Sequence, residues 1–369
     1  MPPDVTALLQ ELIRIPSVNP DGDPGTTEVG EKRIAEYLGG LLRKWGAEVE
    51  LRDVLPDRPN VVARFPNARP DRPRLLLAPH TDTVSIGGMT IEPFSGELRD
   101  GCVWGRGATD TKGPMAAMLW ALHESRDLLR ELPYEVWFAG LMGEEAGLQG
   151  SAALAKEMTF DFVIVGEATG LQVVNATKGS NWLTLRTRGV AVHASKPGDG
   201  VNAIYRMADV LRCIRDEIAP AFRSMTHPVL GSPTISVGTI RGGTKTNIVP
   251  DYCEAYVDIR SIPGQDLAPV METLRKVCPD LSIEVFEAKP MHTDPSHAVI
   301  QTLRKCGAEC TSAPWFCDAA VFASAGVPAV AVGPGSMAQA HTSDEFIRVA
   351  DLEAGTEFFK KFFKALAAS

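Results

Sequence analysis

The apolar positions of the chain follow two periods. Val5 to Ile15 carries Leu8, Leu9, Leu12 and Ile13 at helical spacing. A second helix is predicted from Thr26-Thr27 to Trp45, with Gly46 just past its end. Ala47 to Val54 and Pro59 to Phe65 read as strands, and Leu75 to Ala78 as a short buried one. A polar loop over Ile86 to Asp100 leads to a helix predicted from Met115 to Leu129, with Pro114 at its start. Tyr134–Leu141, Asp161–Val165 and Pro328–Val332 read as further buried strands. Helices near Ala298–Cys306 and over Asp351–Ala367 complete the pattern. Strands alternating with helices predict an α/β fold, a mostly parallel sheet covered by helices on both faces.

Past Thr177–Gly179 the texture changes. Trp182–Thr187, Thr234–Ile240, Cys253–Ile259 and Leu281–Phe286 alternate apolar and polar residues, with helices at Asn202–Ile218 and Asp266–Val277 between them. The order β-α-β-β-α-β is the ferredoxin-like pattern. The chain therefore divides into a discontinuous domain, residues 1–178 and 291–369, and an inserted domain, residues 179–290. The crossings lie near Thr177–Ser180 and Ala288–His292.

A length of 369 residues agrees with two domains. A net charge of −9, with no basic run, argues against nucleic acid or an anionic membrane as partner. No apolar stretch is long enough to span a bilayer, and Met1-Pro2-Pro3-Asp4 does not open a signal peptide. Seven scattered cysteines fit reduced thiols and a cytoplasmic location. Cys306, Cys310 and Cys317 cluster, but without a Cys-x-x-Cys pair they argue neither for a thiolate metal site nor for a redox pair.

The chemistry begins where Leu75–Pro79 ends. His80 and Asp82 are two apart and project to one side, at the carboxyl end of a strand, where open α/β sheets place ligands. His80 reads as a metal ligand and Asp82 as the carboxylate that orients it. Asp110, the pair Glu144-Glu145, and Glu167 lie in three further loops beside predicted strands or helices, and His341 in a fourth. Histidine and carboxylate without thiolate suit zinc, cobalt or manganese. Five ligands exceed one open tetrahedral site but suit two divalent ions sharing one carboxylate. Glu144 and Glu145 would supply one ligand and one general base between them.

These stretches resemble a known family. His80-Thr81-Asp82, Gly105-Arg106-Gly107-Ala108-Thr109-Asp110-Thr111-Lys112-Gly113, Gly143-Glu144-Glu145, Gly166-Glu167-Ala168-Thr169 and His341-Thr342-Ser343-Asp344-Glu345 occur in the order found in the dinuclear zinc hydrolases. That family includes acetylornithine deacetylase, succinyl-diaminopimelate desuccinylase, aminoacylases and glutamate carboxypeptidases. The resemblance covers essentially the whole chain. It implies that His80 and Glu167 hold one metal, Glu145 and His341 the other, and that Asp110 bridges them. Glu144 becomes the general base and acid acting on the metal-bridging water, with Asp82 supporting His80. The inserted domain becomes a lid and dimerisation domain, and His193 in Val192-His193-Ala194-Ser195 a donor to the substrate carbonyl oxygen across a homodimer interface. Asn247 and Arg260 fall where the family binds substrate, and an arginine fork there implies a free carboxylate. Gly335, after a predicted strand, could offer backbone N–H groups to the same carboxylate or be a plain turn.

The expected reaction is hydrolysis of the amide of an N-acyl amino acid. A di- or tripeptidase, or a carboxypeptidase acting on a short peptide, is the alternative within the family, and a non-catalytic binding protein the alternative outside it. Gly242-Gly243-Thr244-Lys245-Thr246 lacks the Gly-Lys-Thr adjacency of a phosphate loop. Cys317-Asp318 stands where relatives often carry threonine or serine before the aspartate.

Overall fold

The computed structural model describes residues 2–69 and 71–368. In chain order the first elements are α1 (Val5–Ile13), α2 (Lys32–Lys44), β1 (Glu48–Leu55), β2 (Arg58–Phe65) and β3 (Arg74–Pro79). Short strands β4 (Glu97–Arg99) and β5 (Cys102–Trp104) precede α3 (Lys112–Glu124), α4 (Arg126–Leu129), β6 (Glu135–Gly140), α5 (Gln149–Glu157), β7 (Phe162–Gly166) and β8 (Val173–Thr177). Then come β9 (Ser180–Arg188), α6 (Ala203–Cys213), α7 (Ala219–Ser224), β10 (Thr234–Gly242), β11 (Tyr252–Arg260), α8 (Ala268–Val277) and β12 (Ser282–Ala288). The chain ends with β13 (Met291–His292), α9 (Ala298–Lys305), β14 (Cys310–Ala313), α10 (Asp318–Ser324), β15 (Ala329–Ala331), β16 (Phe346–Arg348) and α11 (Val349–Ala367).

Two compact units result. The first comprises Met1–Asn175, Thr293–Thr311 and Cys317–Ser369; the second comprises Ala176–His292 and Ser312–Phe316. The five residues 312–316 thus pack with the second unit, a return that no local pattern announces.

The main sheet runs β1-β2-β6-β3-β7-β15-β8-β13, with β14 also paired to β8. Its interior pairings, β6 with β3, β3 with β7 and β7 with β15, are parallel. The flanks, β1 with β2, β2 with β6 and β8 with β15 and β13, are antiparallel. Alternation across β3 explains its two covered faces. Leu75 and Leu77 join the core formed with α1, α2, α3 and α11. Leu76 is equally buried and faces the other side, where α10 packs on α5, β7 and β15. With both faces covered, the strand reads as a run of leucines rather than an alternation.

In the second unit, β10-β11-β9-β12 form an antiparallel sheet. Leu183, Leu185, Ala255 and Val257 pack against α6 and α8, and Trp182, Tyr256 and Phe286 lie exposed.

Some boundaries move. The second helix starts at Lys32 rather than Thr26. The buried Glu31 carboxylate just before it accepts Arg58 Nε at 2.8 Å and Nη2 at 2.7 Å, and Gly30 at φ +85° turns the chain into the helix. The helix at Pro114 starts at Lys112, leaving the proline in its first turn, where no intrahelical N–H is needed. The helix predicted over Asn202–Ile218 ends at Cys213 and passes through a π-helical turn, Ile214–Ile218, into α7. No helix among the described residues is long and apolar enough to cross a membrane.

Candidate metal centre

His80 follows the last residue of β3, Glu167 the last residue of β7, and Glu144-Glu145 lie four and five residues past β6. Parallel strands β6, β3 and β7 are neighbours, so three consecutive carboxyl ends deliver these groups to one place. Gly143, at φ +71°, makes the left-handed turn that redirects the chain before Glu144. Close approach fixes the loop after β7: a Cβ on Gly333 would sit 2.5 Å from Glu167 O.

Asp110 lies at the centre. Its Oδ1 is 3.1 Å from His80 Nε2, and its Oδ2 is 3.2 Å from His341 Nε2. His341 Nε2 is also 3.2 Å from Glu145 Oε2. Two sets of potential ligand atoms, His80–Asp110–Glu167 and Asp110–Glu145–His341, each fall within 4.8 Å of one another, sharing Asp110. All but His341 are largely enclosed; its side chain is 54% exposed, with the residue at φ +61°.

The polar groups behind these atoms are fixed. His80 Nδ1 lies 3.0 Å from the backbone carbonyl of Asp82 and 3.4 Å from its Oδ1. A carbonyl only accepts, so that contact places the proton on Nδ1 and leaves Nε2 as the lone pair beside Asp110. The Asp82 carboxylate itself accepts the Glu144 N–H at 3.0 Å, the Glu145 N–H at 3.0 Å and Asn19 Nδ2 at 2.8 Å. The Asp110 loop hangs on Glu345. That buried carboxylate accepts the N–H groups of Gly107, Thr109 and Asp110 and Arg106 Nη1, at 2.9–3.0 Å.

The electrostatics call for cations. Burial pushes the Glu145 carboxyl up to about 7, with Asp110 adding to the effect. Burial likewise holds Glu144 and Glu167 well above the ordinary carboxylate range, with the Glu167 charge raising Glu144 and the Asp110 charge raising Glu167. His341, hydrogen-bonded to Asp110 and Glu145, is raised to about 10. Glu145 Oε1 is buried with no hydrogen-bond partner among the described residues, an arrangement that native interiors seldom leave unexplained. An oxygen-and-nitrogen donor set, excess buried negative charge and an orphaned carboxylate oxygen fit divalent metal ions.

Two residues here escaped the sequence reading. Glu345 closes the stretch His341-Thr342-Ser343-Asp344-Glu345 and carried no role there, because its work is to accept backbone N–H groups. Asp318, first residue of α10, is buried, and neither oxygen is in a hydrogen bond of normal geometry among the described residues. Burial raises it to about 7, and its charge raises both Glu144 and Glu167. Cys317 beside it is buried, its thiol held well above the usual range.

Gly335, at φ +91°, accepts the Gly170 N–H through its carbonyl at 2.9 Å. His193, Asn247 and Arg260 belong to the second unit. His193 is exposed; its Nδ1 lies 2.8 Å from Ser195 Oγ and accepts the Ser195 N–H at 3.2 Å, so a neutral ring carries its proton on Nε2. The Asn247 carbonyl accepts the Ala194 N–H at 3.0 Å, tying the two loops together. Arg260 donates through Nε to Asp258 at 2.9 Å.

Comparison with known proteins agrees with this chemistry. Residues 76–365 match the model of peptidase family M20/M25/M40. Acetylornithine deacetylase of Proteus mirabilis is 32% identical over 375 residues, covering 96% of this chain and 95% of that protein. An M20 family metallo-carboxypeptidase from Sulfolobus solfataricus shares the fold with a TM-score of 0.79 at 21% identity, covering 99% of this chain and all of that one. Aminopeptidase PepT from Bacillus cereus does so with a TM-score of 0.78 at 22% identity, covering 98% of each.

Proposed function

The chain belongs to peptidase family M20/M25/M40 and is a metal-dependent amidohydrolase, and we propose that its reaction is hydrolysis of the amide bond of an N-acyl amino acid. The observation that carries this reading is the pair of ligand sets sharing Asp110, with Glu144 next in sequence to the ligand Glu145. We assign His80 and Glu167 to one ion, Glu145 and His341 to the other, and Asp110 to both. Zinc suits the donors first, with cobalt or manganese as alternatives. When bound, two such ions would supply positive charge for the amide oxygen and lower the pKa of water toward neutrality.

The chain's own residues handle protons and position. Among the described residues the Glu144 carboxyl accepts no hydrogen bond, and its raised proton affinity suits it to take a proton from water and return it to the leaving amine. Asp82 fixes the backbone of Glu144 and Glu145. His193, contributed by a second copy of the chain, is proposed to donate from Nε2 to the carbonyl oxygen. Arg260, Asn247 and Gly335 are proposed to hold the substrate's free carboxylate, for which Arg260 would exchange its Asp258 partner. A homodimer in the cytoplasm completes the reading.

The deacylase reading draws support from the acetylornithine deacetylase of Proteus mirabilis. A peptidase is the second reading, favoured by the fold shared with PepT and the Sulfolobus carboxypeptidase. Amine release decides between them, measured on N-acetyl, N-formyl and N-succinyl amino acids beside unblocked dipeptides, with Glu144→Ala as blank. Turnover of blocked substrates alone supports the deacylase. Turnover of dipeptides moves the assignment to a peptidase. Silence on both with metal bound sinks both readings.

A further inference from the structure

The first unit holds a second feature, remote in sequence from the metal ligands: a cavity of about 400 Å³ where the end of α2, the end of β2 and the junction of α3 with α4 meet. Trp45 and His123 form one wall. Their rings stack with centroids 4.5 Å apart and 29° between planes. Trp45 is buried, and both its Nε1 and the Nδ1 of His123 are shielded from solvent, without a hydrogen-bond partner among the described residues.

Around the same cavity stand Lys44, Arg126 and Arg130, against the single carboxylate of Asp127. Arg126 spends one hydrogen bond on the His123 carbonyl, at 3.1 Å. The side chains of Lys44 and Arg130 make neither an ion pair nor a hydrogen bond among the described residues. Three cations with one counter-charge leave an excess of two positive charges on a chain whose net charge is −9. The volume lies within the roughly 300–1,000 Å³ of small-molecule sites. Arginine forks match carboxylate and phosphate oxygens, and the stacked rings and Phe65 offer an apolar surface beside them.

We propose that this cavity binds a small organic oxyanion, a compact apolar body carrying carboxylate or phosphate. The guanidinium groups and the Lys44 ammonium meet the oxyanion, and the ring wall meets the apolar body. The proposal stands on this cavity alone and is independent of the amide reaction.

The six tryptophans can be replaced by 5-fluorotryptophan, and the Trp45 line assigned in the ¹⁹F spectrum by Trp45→Phe. Metal-loaded enzyme is then titrated separately with phthalate and with phenyl phosphate. The expected result is a saturable movement of the Trp45 line. Its midpoint should rise about tenfold or more in an Arg126→Ala/Arg130→Ala variant of unchanged Tm. The tighter of the two probes identifies the preferred oxyanion. A Trp45 line unmoved by either probe up to about 10 mM, or one that moves equally in the double variant, overturns the proposal.

Discussion

The carboxylate of Asp82 accepts the backbone N–H of Glu144 at 3.0 Å through Oδ1, while Oδ2 takes the next N–H along the chain at 3.0 Å. The residue proposed to support His80 is thus also the clamp on the loop that carries the proposed base. Removing it should displace Glu144. Asp82→Ala is expected to lower kcat by about 100-fold or more, since a misplacement near 1 Å costs that much. Asn19→Ala, which removes only the clamp's 2.8 Å support, should give a smaller loss with metal content retained. Steady-state kinetics beside metal analysis checks this; wild-type kcat in Asp82→Ala would refute the clamp.

Glu144→Gln keeps the shape of the residue and deletes its base. A loss of about 10²–10⁴-fold in kcat is expected, with both metals still bound. Loss of metal together with activity would instead make Glu144 a ligand.

Asp110 belongs to both ligand sets, whereas Glu167 and His341 belong to one each. Asp110→Ala should therefore abolish binding of both ions. Glu167→Ala and His341→Ala should each weaken one site and leave the other titratable. Calorimetric titration with zinc or cobalt reads this directly; equal loss in all three variants would contradict a shared carboxylate.

The metal-free protein should become less stable with rising pH. Burial pushes Glu145 from an ordinary 4.5 to about 7, and its two carboxylate partners push His341 from 6.5 to about 10. Both groups bind protons more tightly folded than unfolded, so their contribution to stability falls as pH climbs through those two windows. Asp110 is shifted the other way by its histidines, below 3.8, and acts only in acid. Tm of the metal-free protein is expected to be lower at about pH 8.5 than at about pH 6, with divalent metal closing the gap by binding the folded state. A Tm that rises over this range without metal would be the contrary result.

Much of this site was legible because its chemistry is carried by side chains in short contiguous stretches. His80, Asp110, Glu145, Glu167 and His341 could be picked out by residue type, and the parallel strands predicted beneath them explain why they meet. The strands β9 to β12 were legible from alternation, since their sheet is covered on one face, whereas the return of residues 312–316 to the second unit was not. What stayed hidden depends on distant partners. The late start of α2 follows from the pairing of Glu31 with Arg58, 27 residues away. Antiparallel flanks on a parallel sheet leave no mark in burial pattern, because strands such as β2 are covered on both sides. Asp318 stood in the sequence only as the aspartate after Cys317; its burial, and the effect of its charge on Glu144 and Glu167, emerge only from the folded chain.

Glu345 anchors Arg106 and three N–H groups of the Asp110 loop across a separation of 235 residues or more. During synthesis, the loop bearing the central carboxylate therefore leaves the ribosome long before the residue that gives it shape. A nascent chain can form most of its sheet while the two ligand sets remain unassembled. Assembly of the two sets becomes a late event that waits for synthesis through Glu345, and a chain cut short before that residue is left without the means to organise its centre.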